Sequence, residues 1–487
     1  DDFDREFYLR IYPDIAQSGI DPLEHYLRHG CKEGRLGRAP QPVESPIRHA
    51  FVAGRPTVLV VSHEASRTGA PILAWNLCRE LKDRSNVIAL LLGGGDITEY
   101  FNETCNVVVG PIDLKMRNAL LLDPIIQGIC DGYRIDFALV NSIESDAVLP
   151  SLAERYVPTV LLIHEFFAYT RPRERYIAAL RTASAVVFSA RIVQSNALIP
   201  RTRRAIQASH VAAQGKCEIP SPPLTGEDAI ANLEQIKALL YPEGPRCFLV
   251  LGVGTVQYRK GVDLFVATAE EVRRLAPAVD IVLLWIGHGY DPENDLAYSA
   301  YVEEQIAATG TDNVAIIGAV DNLEPFYGRA DMLFLSSRLD PMPNVAIDFM
   351  ALGKPVICFE NATGIAEVLV NHPDTVECIL PSASIGYAAR LNLRLHSSPA
   401  FADAESEGVR ELAARYFDMR NYAGRLLDIG WAARTQCLQQ HSDAATLRDA
   451  PDFRTDFVSS PLPFPRTREQ AIVDFLRSTA SGIDPRR

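Results

Sequence analysis

The sequence predicts an α/β protein built from two Rossmann-like, doubly wound halves facing a cleft, with a small helical extension at the N-terminus. Three observations carry this prediction. The chain has 487 residues, more than one core usually supports, so two or three domains are expected. From Thr57 onward short β-rich runs alternate with helical ones, which is the sign of a parallel sheet wrapped by helices. After a Pro-rich break, "CEIPSPPLTGED", the same alternation begins again near Cys247.

Each element follows in order. Residues 1–40 read as a helical module, in which two short helical patterns flank "SGIDP"; Asp21 is placed to cap the second helix and Pro22 to open it. Residues 41–56, including most of "GRAPQPVESP", read as a linker. In residues 57–215 the runs "TVLVVSH", "NVIALLL", "DFALVNS", "TVLLIHE" and "AVVFSA" read as strands, and "PILAWNLCREL" as a helix. Residues 216–246 connect the halves. In residues 247–400 the strands are "CFLVLGVG", "DIVLLWIG", "NVAIIGAV", "DMLFLSS" and "KPVICF", with helices at "DLFVATAEEVRRL" and "NVAIDFMAL". The tail, 401–487, is mostly helical, carries the Pro-rich "SSPLPFPRTREQ", and is expected to pack back on the first half.

Composition narrows the function. A net charge of −13 argues against a general nucleic-acid binder, whose domains usually carry a basic surplus. No apolar run approaches the ~18 residues of a membrane span. There is no signal-peptide pattern, and the first residue is Asp, so the chain is expected to be a piece of a longer product. The 9 cysteines are dispersed without a CxxC pair, which reads as reduced thiols in a cytoplasmic protein. With no HExxH or EF-hand pattern, no metal is expected.

Four stretches could carry chemistry. The helix of "SSRLDPMPNVAIDFMALGKPVI" is apolar nearly all round, yet holds Asp348 in its middle, with Asp340 in the approach. Asn344 reads as its N-cap and Gly353 as its terminator. The amides of Asn344 and Val345, past a strand's carboxyl end, suit a phosphate. A buried carboxylate needs partners, and paired sugar hydroxyls would supply them; pairing with Arg338 or Lys354 is the plainer alternative. In "LGVGTVQYRKGVD" a strand ends at Gly252-Val253-Gly254, and Arg259-Lys260-Gly261 open the next helix; two cations beside small residues suit a diphosphate, whereas a solvated pair is the alternative. In "VVSHEASRTGAP", Thr68, Gly69 and Ala70 form a small-residue loop into a helix, either for close ligand approach or merely as a tight turn. In "LLIHEFF", His164 follows a strand, where it would face the cleft.

In order and spacing these stretches resemble the retaining glycosyltransferases of family 4, which have the GT-B fold. The resemblance rests on Gly69 with Ala70, on His164, on Arg259-Lys260-Gly261, and on Asp340-x7-Asp348, and it covers roughly residues 57–400. "SRxDPxPxxxxxxMALGKPVI" and "TGIAEVL" are similar to a bacterial branch acting in cell-surface polysaccharide synthesis. The resemblance implies a nucleotide-diphosphate sugar as donor, a glycan or lipid-linked glycan as acceptor, and no cofactor. It gives Asp348 the ribose, Asp340 the donor sugar, and Arg259 and Lys260 the diphosphate. The Gly254-Thr255 and Asn344-Val345 backbone would help with the phosphates. His164 would lie near the transferring sugar and the Thr68-Gly69-Ala70 loop near phosphate or acceptor. The chain departs from the family's pattern where Asp348 stands for Glu, Asp340 for a frequent Glu, and Thr255 for Arg.

Two other classes fit the same folds: a sugar-nucleotide epimerase, and an inactive glycan- or nucleotide-binding homologue. Residues 1–40 are similar to a module seen ahead of bacterial polysaccharide glycosyltransferases. Between Arg171 and Arg204 stand eight arginines and one acid, Glu174. That stretch reads either as a solvated face or as a surface for anionic lipid or an acidic glycan; an anionic-lipid surface would put the protein at the inner face of the cytoplasmic membrane.

Overall fold

In a computed structural model of the chain the described residues are 3–112, 119–220, 247–320 and 322–448. The Pro-rich tail segment and most of the connection 216–246 lie outside them. The chain forms two compact units. One takes the chain up to Val187, Leu198–His210, and the chain from Ala423 onward; the other takes Phe188–Ala197 and Val211–Tyr422.

The first unit is built on β1 (Thr57–Ser62), β2 (Asn86–Leu91), β3 (Val107–Val109), β4 (Phe137–Asn141), β5 (Thr159–Ile163), β6 (Ala185–Phe188) and β7 (His210–Val211). Their order in the sheet is β3-β2-β1-β4-β5-β6-β7. β1 pairs in parallel with β2 on one side and β4 on the other, in register Val60↔Ala89 and Val60↔Leu139. These strands are continuous runs of Val, Leu, Ile and Ala because helices cover both faces, so neither face needs polar residues.

The stretch expected to be a linker is instead docked along β3. Glu44 bridges Val109 antiparallel, and Ser45 N–H donates to Val108 O at 2.8 Å. Asn106 Nδ2 reaches His49 O and Ala50 O. Covering β3 satisfies an edge that would otherwise expose unpaired backbone groups. The N-terminal module has its own small core. Tyr8 is fully buried among Phe3, Tyr12 and Tyr26, and its hydroxyl lies 3.0 Å from His25 Nδ1. Asp21 caps the helix Pro22–His25, accepting from Leu23 N and Glu24 N, as its sequence position implied. The long helix Met419–Arg448 returns to this unit, where Trp431 meets Phe137 edge-on at 5.8 Å and Arg434 pairs with Asp136.

The second unit holds β8 (Phe248–Val253), β9 (Ile281–Ile286), β10 (Val314–Ile317), β11 (Met332–Leu335), β12 (Val356–Phe359) and β13 (Ile379–Leu380), in the order β10-β9-β8-β11-β12-β13. Two boundaries differ from those expected at residues 215 and 400. Helix Pro399–Tyr416 packs on helix Asn344–Ala351, which carries the second unit on to Tyr422. Segment Phe188–Ala197 joins this unit because the Glu367 carboxylate accepts the N–H groups of Arg191 and Ile192 at 2.9 and 2.5 Å, capping helix Arg191–Asn196. Among the described residues no helix is long and apolar enough to cross a membrane.

Candidate functional site

In the second unit the chain reverses its direction across the sheet between β8 and β11, so the loops after these two strands lie side by side. Such switch points are where open α/β sheets bind ligands. The two loops are tied together. Arg338 N–H donates to Arg259 O at 2.8 Å, and the Arg338 guanidinium grips Asp263 through both nitrogens at 2.9 and 2.7 Å. Arg338 also stacks 4.0 Å over Tyr258. Burial would raise the Asp263 carboxyl, but Arg338 and the Tyr298 hydroxyl hold it below the usual carboxylate range.

This frame brings the predicted cations and the first carboxylate together. Lys260 Nζ donates to Asp340 Oδ2 at 2.5 Å, Ser337 Oγ donates to the same oxygen at 3.2 Å, and Arg259 Nη1 lies 3.6 Å from Oδ1. Asp340 is buried, with its own N–H held by Ala362 O at 2.8 Å. Gly261 makes the approach possible. It sits at φ +68°, and a Cβ there would lie 2.1 Å from Ser336 O. Arg259 and Lys260 bring two cations to one carboxylate, and an ammonium has three N–H donors, of which Asp340 takes one. The cluster can therefore accept a further anion. Gly254, at φ +144°, lies against the Lys260 stem, while Thr255 is exposed at the loop's edge.

Helix Asn344–Ala351 begins one residue earlier than expected: Pro343 is its N-cap, and Asn344 is its first helical residue. The Asn344 side chain does not cap because its Oδ1 accepts from Gln214 Nε2 at 2.5 Å. Gly353, at φ +66°, follows the helix's C-terminal end as anticipated. Val345 lies buried in the first turn, and Asp348 one turn in. Neither Arg338 nor Lys354 serves Asp348: the first is spent on Asp263, the second donates to Gly328 O and Ala330 O. A different cation does. Lys216 Nζ lies 3.8 Å from Asp348 Oδ1. Burial nevertheless pushes the Asp348 carboxyl up to about 7, and Lys216 offsets only part of that.

In the first unit the loop after β1 and the residues after β4 and β5 share the carboxyl edge of the sheet. Thr68 precedes helix Gly69–Leu81 without capping it; its hydroxyl pairs with Ser66 Oγ at 2.9 Å, and Gly69 is exposed. His164 Nε2 lies 3.0 Å from Asn141 Oδ1, and Asn141 Nδ2 donates to Ala70 O at 2.7 Å. The histidine and the small-residue loop thus meet through an asparagine the sequence reading passed over. Its signal was a polar residue closing an otherwise apolar strand. Gln214 and Lys216 were also missed; both lie beside the Pro-rich break, where no periodicity marks a side chain's surroundings. Among the described residues no three His, Cys, Asp or Glu side chains gather as a metal site.

Comparison with known proteins agrees with this architecture. Residues 247–393 match the family described as glycosyl transferases group 1. A glycogen synthase of Mycobacterium tuberculosis is 28% identical over 187 residues, 38% of this chain and 42% of that protein. A mannosylfructose-phosphate synthase of Agrobacterium fabrum is 30% identical over 112 residues, 22% of this chain and 24% of that one. The chain therefore spans less than half the length of these curated relatives. Among solved structures, Anabaena HepE in complex with UDP and glucose matches with a TM-score of 0.59 at 17% identity, over 76% of this chain and 98% of that one. Sucrose-phosphate synthase from Thermosynechococcus elongatus matches at 0.56 and 20% identity, over 78% and 100%. The fold is GT-B, and the stretch similar to glycosyl transferases group 1, residues 247–393, lies in its second unit.

Proposed function

We propose that the protein is a retaining glycosyltransferase that moves a sugar from a nucleotide-diphosphate donor to a glycan or lipid-linked glycan in cell-surface polysaccharide synthesis. One observation carries the reading: Arg259 and Lys260 converge on Asp340 at the switch point of the unit matching glycosyl transferases group 1. Here Arg259 and Lys260 meet the diphosphate, with the Gly254-Thr255 loop and the first amides of the 344–351 helix. Charge developing on the leaving group is then stabilised by fixed protein cations, without a metal ion or other cofactor. Asp340 takes a hydroxyl of the donor sugar, Asp348 the ribose, and His164 with the Thr68-Gly69-Ala70 loop serves the sugar and acceptor side. HepE is known with UDP and glucose, which supports a nucleotide sugar as donor. The working place is the cytoplasm, at the inner face of the membrane if the acceptor is lipid-linked.

Incubation with a panel of sugar nucleotides, with and without glycan acceptors, tests the reading. Acceptor-dependent release of nucleoside diphosphate is expected. Interconversion of the sugar without an acceptor would indicate an epimerase instead. A second reading, an inactive homologue that binds ligand without turning it over, is favoured by Lys216 standing beside Asp348. It predicts nucleotide binding with no turnover across the panel.

A further inference from the structure

Asn141, the last residue of β4, is fully buried, and its two hydrogen bonds have a directional consequence. Its Nδ2 donates to Ala70 O at 2.7 Å, and its Oδ1 lies 3.0 Å from His164 Nε2. A backbone carbonyl can only accept, so Ala70 dictates which end of the amide faces it. The amide oxygen is thereby turned to His164, and it too can only accept. Nε2 must then carry the ring proton, which leaves Nδ1 of the neutral ring as a bare acceptor.

That acceptor is closed off from solvent and receives no hydrogen bond from the described residues. The neighbouring carboxylate does not reach it: Glu165 is turned to Ser142 Oγ, to Ile143 N and to the backbone N–H of His164. Burial alone draws the ring's pKa down to about 4, with no charged side chain acting on it, so the ring is neutral at neutral pH. A buried acceptor left unpaired is destabilising, and only a group bringing an O–H or N–H relieves it. A phosphate oxygen or a carboxylate offers lone pairs and is repelled.

We propose that Asn141 is a positioning residue that holds His164 in its Nε2–H form, so that Nδ1 accepts from a ligand hydroxyl and selects against an anionic group at that point. That the hydroxyl belongs to a sugar rests on the glycosyltransferase reading; the tautomer does not.

Long-range 1H–15N spectra of histidine-labelled protein, with His164 assigned from a His164→Gln variant, read tautomer and pKa without any substrate. The expected result is a proton on Nε2 and a pKa well below 6.5 in the wild-type protein. In Asn141→Asp the carboxylate stabilises the imidazolium and should raise that pKa by roughly 1–3 units. The acid limb of the turnover profile should move up with it, which a merely structural asparagine would not cause. A wild-type proton on Nδ1 overturns the inference whether or not sugar is transferred, and it needs no variant to fold. An acid limb that stays in place while the His164 pKa rises overturns it too. A wild-type Nε2–H form in a protein that transfers no sugar from any donor defeats the transferase reading alone and leaves the positioning role standing.

Discussion

Lys216 Nζ stands 3.8 Å from Asp348 Oδ1, yet the carboxyl keeps a pKa of about 7. Charge-assisted N–H···O contacts usually close to roughly 2.7–2.9 Å, so this is an ion pair without a hydrogen bond. The Lys216 side chain is 45% exposed, whereas that of Asp348 is 10% exposed, so the cation keeps much of its hydration while the carboxylate does not. Burial outweighs pairing, and the site keeps a demand for donors that the protein only half meets.

Asp348→Asn tests this. The folded carboxyl binds protons more tightly than the unfolded chain's, so stability is full below about pH 4 and is lost as pH rises through about 7. The asparagine variant should match the wild type at pH 4 and melt higher at pH 8, while binding nucleoside diphosphate more weakly. Thermal melts across this range and a titration at pH 8 check both. Higher stability with unchanged affinity would assign Asp348 a structural role only.

Lys260→Ala should lower turnover by about a hundredfold, as loss of one group stabilising developing charge commonly does. It also leaves buried Asp340 short of its closest cation, at a cost of about 3–5 kcal/mol. A double variant, Lys260→Met with Asp340→Leu, should recover much of that stability without recovering turnover. Kinetics and denaturant melts of both proteins separate the two effects.

Glu405 is fully buried in helix Pro399–Tyr416, and burial pushes its pKa up to about 7, offset only in part by the Cys378 thiol beside it. By the same sign, its contribution is present below about pH 4.5 and lost towards pH 7. Glu405→Gln should therefore raise the melting temperature at pH 8 and leave it unchanged at pH 4. Because this helix packs on Asn344–Ala351, the variant should also be less prone to lose ligand affinity at high pH.

Gly261→Ala places a side chain at φ +68° and a Cβ 2.1 Å from Ser336 O. Strain of about 1–3 kcal/mol is expected from the backbone alone, with the clash added. The loop must shift to relieve it, so Lys260 should move off Asp340 and turnover should fall with stability. Chemical denaturation and kinetics on one preparation decide this.

Much of the fold was legible because both sheets are parallel and buried, so strands such as "TVLVVSH" and "CFLVLGVG" stand out as unbroken apolar runs. β3, β7 and β13, of two or three residues each, gave no such signal. The Asp340, Arg259 and Lys260 cluster could be read because its residues lie at the ends of legible strands. Lys216, Gln214 and the Glu367 cap could not, since each works through a contact distant in sequence: Gln214 and Asn344 are 130 residues apart. The register of residues 41–56 against β3 was hidden likewise, because Pro-flanked segments read as loops whether or not an edge receives them.

The central claim is that the Arg259, Lys260 and Asp340 cluster binds the diphosphate of a sugar nucleotide. Calorimetric titration of UDP, GDP and dTDP into the wild-type protein and into Arg259→Ala tests it most directly. Saturable binding of at least one nucleotide, weakened at least about tenfold in the variant as loss of a charged hydrogen bond would cause, is the predicted result. Binding of equal strength in both proteins, or none to any of the three nucleotides, would contradict it.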